Sequence, residues 1–137
     1  MGDFKIKYLD ISVFDAATEM AKRSERLRMN LDLRNSENDH SQRMLNALEP
    51  GTILPIHRHT STSETCIVLR GAAVEILYDE YGTETERIAM MAGGSCCGVN
   101  IPAGVWHRIE SLVSGTVIFE AKDGAYSPLS PYDVKEL

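Results

Sequence analysis

The sequence predicts an all-β fold: two antiparallel sheets closed as a double-stranded β-helix, or jelly-roll barrel, preceded by one short N-terminal helix. Three observations lead there. Short runs rich in β-branched and aromatic residues recur along most of the chain, separated by turns containing Gly or Pro. A single stretch near the N-terminus has the helical period instead. No internal repeat or linker divides the 137 residues, a length that suits one domain with a core of its own.

Taken in order, Phe4-Lys-Ile-Lys-Tyr8 alternates apolar and charged residues, which predicts a short edge strand with one wet face. Val13, Phe14, Ala17, Met20 and Ala21 then fall at helical spacing. With Ser12 and Asp15 resembling a capping box, they predict a helix over Ser12 to Arg26, its C-terminal cations complementing the helix dipole. Asn30 to Ser41 is rich in turn formers and reads as a surface loop carrying a solvated His40. Residues 1–40 are thus expected to pack as strand, helix and loop on a barrel of residues 41–122, with a tail over 123–137.

Within the barrel, Gln42 to Leu48 reads as a strand, and Glu49-Pro-Gly51 turns it into the segment bearing His57. Thr65 to Leu69 is a buried strand ended by Gly71. Residues 71–78 and 86–91 form a hairpin about Asp79-Glu-Tyr-Gly82. Val99 to Ile101, Trp106 to Leu112 and Thr116 to Glu120 complete the set. The tail has no period and two prolines, so it is expected to lie over the barrel as a loop.

Composition narrows the function classes. A hydrophobic fraction of 43% with 25% charged residues is ordinary for a soluble globular domain, and a net charge of -6 without a basic patch argues against nucleic acid as partner. No apolar run approaches the ~20 residues that cross a bilayer, and the N-terminus lacks a signal peptide's apolar centre, so a membrane role is not expected and cytoplasmic residence is. Three cysteines, an odd number with Cys96 and Cys97 adjacent, do not suggest a disulfide framework.

The chemistry concentrates in Gly51-Thr-Ile-Leu-Pro-Ile-His57-Arg-His59-Thr-Ser-Thr-Ser-Glu64. On an extended strand His57 and His59 project to the same face, close enough to share one ion, and Glu64 reaches them from the next strand. Imidazole and carboxylate together suit a divalent transition metal: Zn, Ni, Mn or Fe. On spacing alone, a solvated edge-strand pair of histidines is an open alternative. Cys66, two residues beyond Glu64 on the same face, is a candidate pocket wall or simply a packed thiol. Arg43 is a candidate anion ligand if it faces inward and a surface ion pair otherwise; Tyr126 is a candidate cap over a pocket mouth or an outward-packed ring.

Gly51, His57, His59, Glu64 and Gly71 match the first motif of the cupin family, Gly-x5-His-x-His-x(3 or 4)-Glu-x6-Gly, at every position. Pro102-Ala-Gly104-Val-Trp-His107 resembles the second, Pro-x-Gly-x2-His, and this resemblance implies His107 as fourth ligand. Cys96 and Ser111 stand where that motif has Gly and Asn. From about Arg28 to Tyr126 the order of features is similar to the WbuC-type cupin-fold metalloproteins. The matching segments are Asn30-Leu31, Gln42 to Gly51, Val68-Leu-Arg-Gly71, Ile101 to His107 and Glu120-Ala-Lys-Asp-Gly-Ala-Tyr126. Ala125 stands where a Pro is usual and Asn100 where an acid is common.

The resemblance implies a cupin barrel, one divalent metal, a homodimer and a link to surface-polysaccharide metabolism. It carries no established reaction. The expectation is a metal-dependent enzyme, an isomerase or epimerase, lyase or oxygenase, acting on a small polar or anionic molecule; the alternative is a non-catalytic ligand-binding or sensor module.

Overall fold

A computed structural model describes residues 5–136 of the chain. Two five-stranded antiparallel sheets face one another. The first has the order β1-β2-β9-β4-β7, from β1 (Arg28–Asp32), β2 (Gln42–Leu48), β9 (Thr116–Lys122), β4 (Glu64–Arg70) and β7 (Gly98–Ile101). The second runs β10-β3-β8-β5-β6, from β10 (Val134–Lys135), β3 (Ile56–His57), β8 (Trp106–Ser111), β5 (Ala72–Tyr78) and β6 (Glu84–Met91). The jelly-roll architecture expected from the sequence is the one observed. No helix of the described residues is long and apolar enough to cross a membrane.

The first sheet is covered on both faces. Its inner face meets the second sheet through Leu48, Cys66, Val68 and Ile118, packed against Ala73, Met90 and Ile109. Its outer face carries Leu45, Ala47 and Val117, against which α1 (Ile11–Arg23) lays Phe14, Ala17 and Ala21. Those three recur at the spacing of one helical face. Arg70 clamps the helix down: its guanidinium donates to Asp15 at 2.6 Å, to Thr18 at 3.1 Å and to the Gly115 carbonyl at 2.8 Å.

Four expectations need correction. The helix starts earlier and stops sooner than Ser12 to Arg26, because Asp10, not Ser12, is the N-cap, accepting from the Val13 amide, and Ser24 ends it. Of the edge strand expected at Phe4 to Tyr8, Phe4 lies outside the described residues, and residues 5–8 are exposed and in no strand. The loop expected over Asn30 to Ser41 starts only after Asp32: Asn30, Leu31 and Asp32 pair with Asn46, Leu45 and Met44. His40 is exposed in the remaining loop. The tail is not all loop either, since a 3-10 turn at Pro131–Asp133 leads into β10, which pairs with β3.

Candidate metal centre

His57, His59, Glu64 and His107 come together, with one ligand atom from each lying within 4.8 Å of all the others. The ring centroids of His57 are 5.2 Å from His59 and 4.4 Å from His107. Each arrives differently. His57 closes the two-residue strand β3 and is the Cα partner of His107 on β8, so both rings leave the second sheet side by side. His59 lies just past β3 in irregular backbone rather than on one continuous strand with His57. The second motif's turn holds it there: the Gly104 amide donates to the His59 carbonyl at 2.8 Å. Glu64 opens β4 in the opposite sheet and is almost wholly buried.

The donor atoms are pre-set. His57 Nδ1 lies 3.0 Å from the Pro55 carbonyl and His107 Nδ1 lies 2.8 Å from the Val105 carbonyl. A carbonyl only accepts, so each Nδ1 carries the proton and each Nε2 presents a lone pair to the cluster. His107 Nε2 then faces Glu64 Oε2 at 3.2 Å, lone pair toward lone pair. His59 Nε2, buried and 3.4 Å from the same oxygen, makes no hydrogen bond. A buried nitrogen without a partner costs free energy, and a cation among these atoms removes both defects. Three nitrogens and one carboxylate oxygen therefore fit a divalent transition metal as a donor set.

Electrostatics agree. Burial, followed by the neighbouring His107, pushes His57 down to about 4, leaving a neutral imidazole. Burial alone would push Glu64 up, but positive charge at its His107 and His59 contacts, the place a metal cation would take, followed by the Lys122 ammonium, outweighs it and holds the carboxyl well below the usual range.

The cluster opens into a cavity of about 910 Å³, a size suited to a small molecule. Tyr126 lines this cavity from the tail, 62% exposed, with the Arg34 guanidinium 5.7 Å from its ring centroid. Arg43 does not reach it. It alternates with Gln42 and Met44, which do, and so points to the helix side, where it bonds Asp39 at 3.2 Å and the Leu33 and Ser41 carbonyls. Cys66 is on the inner face as expected, yet lies one step deeper than Glu64 in the apolar core, where burial pushes its thiol up. Cys66, Cys96 and Cys97 are all free.

Three residues not singled out from the sequence line the cavity as well: Glu75, Glu120 and Lys122. Burial first, then the Glu64 and Glu120 carboxylates, push Glu75 up to about 9. Burial and Glu64 likewise push Glu120 up to about 8, although Asn46 donates to it at 3.1 Å. Strand parity could have found Glu120 and Lys122, which share one face of β9 with the apolar Ile118.

The molecule is similar to several solved structures. Capsular polysaccharide assembling protein CapF from Staphylococcus aureus superposes with a TM-score of 0.63 at 24% identity, over 83% of this chain and 30% of that one. KdgF from a Halomonas species gives 0.58 at 13% identity, over 73% of this chain and 82% of its own. A mutant of the Bacillus subtilis oxalate decarboxylase OxdC gives 0.57 at 21% identity, over 80% of this chain and 28% of that one. The chain therefore spans less than a third of the length of CapF and OxdC. At these identities the likeness shows the fold, the double-stranded β-helix of the cupins. No curated protein matches the sequence. Residues 9–90, which carry His57, His59 and Glu64, match the model described as a domain of unknown function, DUF6016, and the chain belongs to that family.

Proposed function

We propose that the chain is a metal-dependent cupin enzyme of the WbuC type, acting in the cytoplasm on a small polar or anionic molecule. The observation that carries this is the convergence of His107 Nε2 and His59 Nε2, the latter buried without a hydrogen-bond partner, on Glu64 Oε2 beside an open cavity. His57, His59, His107 and Glu64 would hold the ion, which supplies Lewis-acid chemistry at a position left open to the cavity. The two carbonyl-anchored rings keep their orientation while a ligand exchanges. Two neighbours lend support to the substrate class. One is an oxalate decarboxylase, described with Mn(II) centres, and the other assembles capsular polysaccharide. Three free cysteines suit a reducing compartment.

The test is metal analysis of purified protein, followed by a turnover screen of sugar acids, sugar phosphates and small carboxylic acids with metal-loaded and chelator-treated protein. About one ion per chain and metal-dependent turnover are expected. Ligand binding without turnover of any of them would replace the enzyme with a binding module; absence of metal would end the reading.

A further inference from the structure

Lys122 and Glu64 are Cα partners on β9 and β4, so their side chains leave the same face about 5 Å apart at the backbone. Lys122 lines the cavity and is half-buried, yet it forms no ion pair among the described residues. Glu75 enters the cavity from the opposite sheet. Its Cα partner is Ile109, two residues beyond His107 on the same face of β8, which sets the carboxyl diagonal to a metal ligand. Only 2% exposed, Glu75 makes no hydrogen bond or ion pair with any described residue. A cation that acts on the neighbouring Glu64 and Glu120 carboxylates only through space, and a carboxyl with no hydrogen-bond partner, both turned into one cavity beside four candidate metal donors, ask for complementary groups on a ligand.

Resting on the metal-dependent reading above, we infer that the cavity takes a small carboxylic acid bearing hydroxyl groups: its carboxylate lies between the metal and Lys122, and a hydroxyl bonds Glu75. A charge-assisted bond from Lys122 to a carboxylate is stronger than a neutral one, and a carboxyl hydrogen-bonds a hydroxyl in either protonation state. An acid lacking hydroxyls would leave Glu75 unpartnered; a neutral polyol would leave Lys122 so. Arg43, on the helix side of β2, takes no part.

The experiment is calorimetric titration of metal-loaded protein with gluconate, with sorbitol as its uncharged counterpart and hexanoate as its counterpart without hydroxyls. Metal content is measured in every sample. Gluconate is expected to bind at least ~10-fold more tightly than either control, a difference one such hydrogen bond supplies. Lys122→Met should remove most of the advantage over sorbitol, and Glu75→Met most of that over hexanoate, while Glu75→Gln, which still bonds a hydroxyl, retains it. Equal binding of the three probes, or Lys122→Met and Glu75→Met indistinguishable from the parent at full metal content, would overturn the inference and leave the metal reading standing. A parent protein that takes up no metal would end both, and metal analysis shows that separately.

Discussion

His57 and His107 are cross-strand partners that use one device: each ring donates Nδ1–H to the carbonyl two residues before it, Pro55 for one and Val105 for the other. The backbone thus chooses the tautomer, and both rings offer Nε2 to the same point before any ion arrives. His59 has no such anchor, and its Nε2 is the atom left without a partner.

Replacing His59 with Ala is therefore expected to remove most of the bound metal while leaving the metal-free fold intact. The parent should gain several degrees of Tm on metal addition, because an ion bound only by the folded state stabilises it, and the variant should not. Metal analysis and thermal melts with and without chelator check this; full occupancy in the variant would remove His59 from the ligand set.

In metal-free protein, Glu75 makes stability fall as pH rises. Its folded value of about 9 lies above the ordinary 4.5, so between those limits the folded state holds a proton that the unfolded state has lost. Glu75→Gln should raise the urea midpoint more at pH 8.5 than at pH 5. The slope should shrink without vanishing, since Glu120, pushed up to about 8, titrates in the same window. Parallel shifts at both pH values would show that Glu75 is already ionised in the folded state.

Gly71 closes the first motif for a steric reason. It sits at φ +82°, and a Cβ there would lie 2.5 Å from Thr116 Oγ1 and 2.9 Å from Thr116 Cα. Gly71→Ala is expected to cost more than about 2 kcal/mol. Gly93, at φ +71° with nothing within 4 Å of the same position, should cost only about 1 kcal/mol. Denaturant midpoints of the two variants make the comparison, and similar losses would refute the steric account.

We propose that the chain forms a homodimer through its N-terminal segment. Residues 5–9 pair with nothing described in their own chain, and Ile6 and Tyr8 are 82% and 73% exposed. Adding to the sheet of a second copy would cover them. Light scattering at micromolar concentration should give twice the chain mass; a monomer would refute it.

Three of the four cluster residues are legible because their spacing is set locally, the interval from Gly51 to Gly71 containing His57, His59, the turn and Glu64, whereas His107 follows only from the resemblance of Pro102 to His107 to the second cupin motif. The pocket was less so, for one reason. Gln42 to Leu48 mixes polar and apolar residues on both faces, with Leu45 and Ala47 against α1 and Gln42, Met44, Asn46 and Leu48 on the cavity, so nothing in the run says toward which side Arg43 points. Glu75 is hidden in the same way, within a strand whose first five residues are all buried. The second half of β1 reads as loop because Asn30 and Asp32, both turn formers, stand on its exposed side; pairing with β2 overrides their propensity. β10 has two residues and no pattern to read.

Strand β3 is as short as β10, and it is held between β8 and β10, with Arg58 tied to Asp133 at 2.9 Å beside it. During synthesis His57 leaves the ribosome long before either flanking strand exists. It acquires its partner His107 only with the second motif, and its outer neighbour only with residues 134–135. A chain carrying the whole first motif consequently has the candidate donors without the frame, which is complete only once β8 and β10 stand on either side of β3.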